Sequence, residues 1–105
     1  MTGHRVDPDE HEKRQAEKKA AAQRRKETED TDMVWLMSTR QGRRIVWRLL
    51  EAAGVYRSTY NSDAMAMAFA EGNRNNGLRL MAWVSSLCPN QYLDMIKEAN
   101  DDADD

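Results

Sequence analysis

Between Pro8 and Asp32 the chain has no apolar side chain larger than alanine, and this restricts any hydrophobic core to the residues beyond Asp32. Apolar residues at helical spacing start at Met33 and end near Ile96. Roughly seventy of the 105 residues can therefore build a core, which is marginal for an independent fold. A chain of this kind gains stability by burying surface against a partner, a second copy or a further helix. It reads as a subunit rather than a free-standing enzyme.

The stretch from Pro8 to about Thr28 is rich in strong helix formers, with acids in its first turn and bases later, the order that the helix macrodipole favours. Asp7 can cap it, with Pro8 at the first helical position and Glu10 placed as in a capping box. It has no face to bury, so it is either a polar helix that lies along something or a frayed, solvated arm. Residues 1–7 carry no pattern. An Asp-rich boundary around Asp30 and Thr31 predicts a fresh cap and a separate short helix over Met33, Val34, Trp35, Leu36 and Met37. The expected division is an arm over 1–30, a helical domain over 31–99 and an acidic, disordered tail over 100–105.

Within the domain, Thr39 caps a helix whose apolar positions are Ile45, Val46, Leu49, Leu50 and Ala53. Gly54 closes it in the left-handed conformation. Val55 to Asn61 forms a loop whose tyrosines fold back on the core. Ser62 and Asp63 start what is expected to be the longest helix, running to about Leu87, with Met65, Phe69, Gly72, Asn76, Leu80, Trp83 or Val84, and Leu87 on one face. Asn75, Asn76 and Gly77 could split it, but the stripe stays in phase across them, which favours one helix. Pro89 stops it, Asn90 caps again, and Gln91 to Ala99 turns Tyr92, Leu93 and Ile96 inward. The expected fold is all-α: a bundle of three to four helices with a long polar N-terminal helical arm.

The net charge of -2 conceals an uneven distribution. The helical domain is mildly basic, and the window Lys13 to Lys26 holds Lys13, Arg14, Lys18, Lys19, Arg24, Arg25 and Lys26 against the single acid Glu17. That strip can meet phosphates or an acidic protein face. Arg40, Arg44 and Arg48, spaced by four with Arg43 beside them, could do the same or form a solvated face paired to Glu51 and Glu71. A helix-turn-helix reader is disfavoured, because seven residues separate the helices and the second opens without side chains suited to base edges.

Nothing in the chain points to catalysis. There is no phosphate-binding glycine loop, paired-carboxylate motif or nucleophile elbow. Glu51, Glu71 and Glu98 are single carboxylates. His4 and His11 fit solvated histidines better than a metal pair. Cys88 is the sole cysteine and reads as a structural thiol, so no internal disulfide can form. The methionines Met33, Met37, Met65, Met67, Met81 and Met95 suit an irregular small core or an adaptable binding surface. No apolar run can span a bilayer and the N-terminus does not look like a signal peptide, so the expectation is a soluble chain made in a cytoplasm, without catalytic, cofactor or metal residues.

The sequence Thr39-Arg40-Gln41-Gly42-Arg43-Arg44, then Leu49-Leu50, Gly54-Val55, Ala68-Phe69-Ala70-Glu71-Gly72, Arg74, Gly77-Leu78, Leu80, Pro89 and Met95 resembles a family of small tailed-phage proteins. This is the Bordetella-phage Bbp-type domain, found among virion and morphogenesis genes of podovirus-like phages. The resemblance covers roughly residues 31–99 and leaves out the arm. It implies a small helical, non-enzymatic phage protein with no catalytic residue to carry over. Gly42, Arg43, Arg44, Glu71, Gly72, Arg74 and Gly77 match the shared pattern.

Together these readings point first to a virion or morphogenesis accessory protein that is made in the host cytoplasm and docks on head, portal or ejection components. The alternatives are a regulatory or host-takeover factor that binds nucleic acid non-specifically or a host protein, and a transient scaffold. A homo-oligomer is compatible with each. The two glycine-arginine motifs are expected to form a joint in which Arg43 or Arg44 and Arg74 meet Glu71 or Glu51, with Arg48 alongside. On that reading Gly72→Leu would destabilise the fold by overpacking a helix contact.

Overall fold

A computed structural model describes residues 7–103. It contains four helices: α1 (Pro8–Met37), α2 (Arg40–Ala52), α3 (Ala64–Leu87) and α4 (Pro89–Ala103), and no strand among the described residues. The chain divides into two units, one up to Asp32 and one from Met33. The first is the polar part of α1. Asp7 starts it as expected, its carboxylate accepting from the Asp9 N–H at 3.0 Å and its carbonyl from the His11 N–H at 3.0 Å. Residues 1–6, including His4, and residues 104–105 lie outside the described residues.

The break expected at Asp30 and Thr31 does not occur, and α1 is continuous to Met37. The Thr31 hydroxyl donates to the Glu27 carbonyl one turn back, at 2.9 Å, and Thr28 does the same to Arg24 at 3.0 Å. A threonine bonded in this way decorates a helix instead of starting one. With 30 residues, α1 is also longer than the 24 of α3, so the expected longest helix is the second longest.

In the second unit the core is Met33, Met37, Val46, Leu50, Val55, Val84, Cys88 and Met95. Helix starts and stops follow local chemistry. The Gly42 N–H donates to the Thr39 hydroxyl oxygen at 3.1 Å, which caps α2. At its other end Gly54 has φ +77°, its N–H donates to the Glu51 carbonyl (3.0 Å), and the Val55 N–H donates to the Leu50 carbonyl (3.2 Å). This is a Schellman closure, with its usual apolar partners Val55 and Leu50 both buried. Asp63 caps α3 by accepting from the Met65 and Ala66 N–H groups at 2.9 and 3.3 Å. Asn75, Asn76 and Gly77 lie within α3, which stays one helix.

Pro89 occupies the first position of α4, so Asn90 is inside the helix and not its cap. The helix continues through Asn100 to Ala103, across part of the tip that composition suggested would be disordered. The inward residue that matters most in α4 is Met95, at 1 % exposure; Tyr92 and Ile96 pack beside it, whereas Leu93 is exposed.

The expected apolar stripes need two corrections. Of the apolar positions expected on α2 only Val46 and Leu50 are buried, while Ile45 and Leu49 are about half exposed. On α3 the inward face is Ala70, Arg74, Gly77, Met81 and Val84. The stripe expected to be buried splits in two. Leu80, Trp83 and Leu87 pack against the core, but Met65, Phe69, Gly72 and Asn76 are exposed. The reason is that α3 spreads its apolar residues round the helix with little asymmetry, so periodicity offers little contrast between its faces.

Candidate interaction surface

The joint expected between α2 and α3 forms between α2 and α4. The Arg43 guanidinium donates to the Glu98 carboxylate through Nε (3.1 Å to each oxygen) and Nη2 (2.7 Å), and through Nη1 to the Met37 carbonyl (3.0 Å). One side chain thus clamps α4 to α2 and satisfies an end carbonyl of α1. The two partners are 14 % and 22 % exposed, so the pair is largely shielded. The Glu98 hydrogen bonds hold the Arg43 guanidinium protonated beyond its ordinary range; burial opposes this, and the charges of Glu98 and Asp94 reinforce it. Next to it, Arg40 donates to Asp102 at 2.8 Å, with both side chains half exposed.

The signal that points to these partners is a spacing and not any single residue. Asp94, Glu98 and Asp102 recur every four residues, an acidic stripe on α4 that complements Arg40, Arg43 and Arg44 on α2. In the sequence Glu98 reads as a lone carboxylate, because no basic residue three or four positions away accounts for it. Arg43→Ala is expected to cost about 2–3 kcal/mol, since it leaves Glu98 shielded and unpaired. Arg40→Ala should cost under about 1 kcal/mol, as exposed pairs do. A denaturant series monitored by tryptophan fluorescence, with the Arg43/Glu98 double mutant completing a cycle, measures both.

The other expected joint residues separate. Glu71 accepts from the Thr59 hydroxyl instead of meeting an arginine. Arg74 faces the bundle on α3, and among the described residues neither Arg74, Arg44 nor Arg48 makes an ion pair. Arg44 borders a small groove of about 90 Å³ together with Arg40, Trp47, Met95, Glu98, Ala99 and Asp102. Arg48 is exposed on the outer face of α2.

The glycines divide just as sharply. A Cβ on Gly42 would lie within bonding distance of the Leu36 backbone carbonyl, so α1 and α2 approach through bare backbone there. A Cβ on Gly77 would stand 2.5 Å from both Ala53 Cβ and Val55 Cγ2. A Cβ on Gly72 meets nothing within 4 Å, and the helix contact assigned to it belongs to Gly77.

The loop after α2 is anchored by Tyr56, which stacks on Trp47 with centroids 5.0 Å apart and planes at 23°. Its hydroxyl lies 3.5 Å from that of Tyr92. Burial first, then the Tyr92 hydroxyl and the Glu51 charge, push the Tyr56 phenol up from its ordinary value. Tyr60, expected to fold back with it, is 82 % exposed. Burial likewise pushes the Cys88 thiol up, as in an inert core cysteine. Asn73 donates to the Ala52 carbonyl at 3.2 Å, serving the open end of α2.

On the first unit, Lys13, Arg14, Lys18, Lys19, Arg24, Arg25 and Lys26 are all exposed. Arg14 reaches Glu10 at 3.9 Å and Lys26 reaches Asp30 at 3.5 Å, and both are weak surface pairs. Among the described residues no cluster of His, Cys, Asp or Glu is arranged to hold a metal ion, and no helix is long and apolar enough to cross a membrane.

The helical unit also exposes large apolar side chains. Among the described residues Val34, Trp35, Ile45, Leu49, Tyr56, Tyr60, Met65, Phe69 and Leu93 are large and exposed. The fold and this surface define a small all-α module that leaves several large apolar side chains exposed beside a small core. A family model described as Bbp19-like phage protein matches residues 33–97, all inside the second unit. The chain belongs to the Bbp19-like phage protein family, and it is a phage protein. No curated protein and no solved structure matches it.

Proposed function

We propose that this chain is a non-enzymatic accessory protein of the phage virion or of its morphogenesis, docking on head, portal or ejection machinery through the exposed apolar surface of its helical unit. The observation that carries the reading is the set of large apolar side chains that the helical unit leaves exposed, Trp35 at 74 % exposure foremost. Patches of that kind mark interaction sites, and aromatic residues on them tend to dominate binding energy. The polar part of α1 is ordered along a partner in the assembled particle. Family membership supports the phage setting and leaves the station within the particle to experiment. Mass spectrometry of purified virions is expected to detect the chain in stoichiometric amount; repeated absence from both mature and immature heads would defeat the proposal.

A second reading rests on the exposed basic residues of α1. Seven cations in fourteen residues suit non-specific contact with phosphates, in a regulatory or host-takeover factor. It requires DNA or RNA binding that weakens steeply with salt and disappears when the window Lys13 to Lys26 is neutralised. No binding at low salt eliminates it.

A further inference from the structure

Helix α2 grips an acidic helix on its buried side. Arg43 holds Glu98 and Arg40 holds Asp102, carboxylates one turn apart on α4, while Val46 and Leu50 share the core with Met95. Its solvent side repeats that composition. Gln41, Arg44, Ile45, Arg48, Leu49 and Ala52 are all exposed there, Ile45 at 47 % and Leu49 at 54 %. Arg44 and Arg48 stand one turn, about 6 Å, apart, and so do Ile45 and Leu49, which lays a cationic strip beside an apolar one. Among the described residues neither of these two arginines makes an ion pair.

We propose that this second set docks an acidic amphipathic helix of a different protein. Carboxylates one turn apart on that helix meet Arg44 and Arg48, and its apolar residues meet Ile45 and Leu49. The inference deepens the docking reading above and rests on it. Charge complementarity selects the acid, and the spacing of the two strips selects a helix. An exposed ion pair alone is worth little, so the apolar strip has to exclude water before the arginines hold their partners firmly. The shielded pair of Arg43 and Glu98 is the same arrangement, already closed, on the other side of α2.

A nucleic-acid backbone suits this face less well. Ile45 and Leu49 offer phosphates nothing to bond, and the exposed Glu51, three residues after Arg48, opposes them. A second copy of the chain suits it less well too. Between Pro8 and Asp32, α1 has no apolar side chain larger than alanine to set on Ile45 and Leu49, and α3 carries the single acid Glu71. On α4, Glu98 and Asp102 are already engaged, and the exposed Leu93, Asp94 and Asp101 have Lys97 among them.

Fluorescence anisotropy on the full chain tests the proposal. The probe is a labelled, alanine-based helical peptide of about 20 residues with Glu and Leu repeated every four positions on adjoining strips. It is expected to bind. Reversing both charges, Arg44→Glu with Arg48→Glu, should weaken binding by at least about tenfold and let the chain accept the same peptide with Lys in place of Glu. Ile45→Ser with Leu49→Ser should weaken it by a similar factor, and Arg79→Glu on α3 should change nothing. Tryptophan fluorescence melts establish that each variant is folded. No binding of the acidic peptide, or binding that charge reversal leaves intact, overturns the proposal. So does tighter binding of a DNA duplex than of the peptide, which assigns the face to phosphates, or self-association that charge reversal disperses, which assigns it to a second copy. The docking reading fails separately. Chain found in virions without peptide binding overturns this inference alone, whereas charge-dependent peptide binding with the chain absent from mature and immature heads supports the surface chemistry and defeats the docking reading.

Discussion

Gly42→Ala should be the most damaging single methyl in the protein, destabilising the helical unit by about 3 kcal/mol or more. The added Cβ would fall on the Leu36 backbone carbonyl, with Leu36 Cδ1 also within 3.2 Å. A side-chain tip could rotate away, but a backbone carbonyl cannot move without opening the turn between α1 and α2. The same turn holds the Thr39 cap and the Met37 carbonyl that Arg43 serves. Alanine in a helix is worth about 1 kcal/mol over glycine, and that gain is too small to offset the clash. For a unit of this size the melting temperature should fall by roughly 10–20 °C. Tryptophan fluorescence is the right probe, because Trp47 reports the stacked loop, whereas far-ultraviolet dichroism is weighted toward the long polar helix. A melt within a few degrees of wild type would mean that α1 and α2 do not approach through this glycine.

The second large effect is Gly77→Leu, expected to cost about 3 kcal/mol. Its Cβ would press on Ala53 and Val55, the residues that complete the Schellman closure of α2, so overpacking would reach the end of the neighbouring helix. Gly77→Ala should cost less, since the Val55 methyl can yield and helix propensity recovers part of the loss. Gly72→Leu is the control. It should be neutral or slightly stabilising in the isolated unit, within about 0.5 kcal/mol, because nothing stands over it. A ranking in which Gly72→Leu is the more damaging of the two would reverse the assignment of α3's faces.

Local chemistry in this chain was readable and long-range pairing was not. Asp7 with Pro8, Thr39, Gly54, Asp63 and Pro89 each act where their side chain or ring dictates, and the all-α class rests on them. Thr31 shows the limit of such signals. A threonine can cap a new helix or bond back within an old one, and only the conformation of its neighbours decides. Arg43 shows another. Its partner Glu98 is 55 residues away, so the nearer carboxylates Glu51 and Glu71 drew the assignment although geometry keeps them elsewhere. The four-residue spacing of Asp94, Glu98 and Asp102 held the missing information.

Helix α3 failed to declare its buried face for a different reason. Its two apolar sides are close to equivalent by composition, so the choice between them is made by Gly77, whose lack of a side chain lets α2 come near. The exposed side is then a remainder that a single chain cannot use. The same holds for Ile45 and Leu49, which periodicity places in a core too small to take them. Failure of the sequence pattern and exposure of these side chains thus have one physical cause: the apolar residues outnumber the places that a core of this size offers.

Photo-cross-linking in infected cells tests that account most directly, with a photoreactive side chain at position 69 in one variant and at position 35 in another. The expected result is a link to a head, portal or ejection component from one or both positions. If both positions yield only uncross-linked chain throughout infection, the exposed apolar faces are not docking surfaces and the account fails.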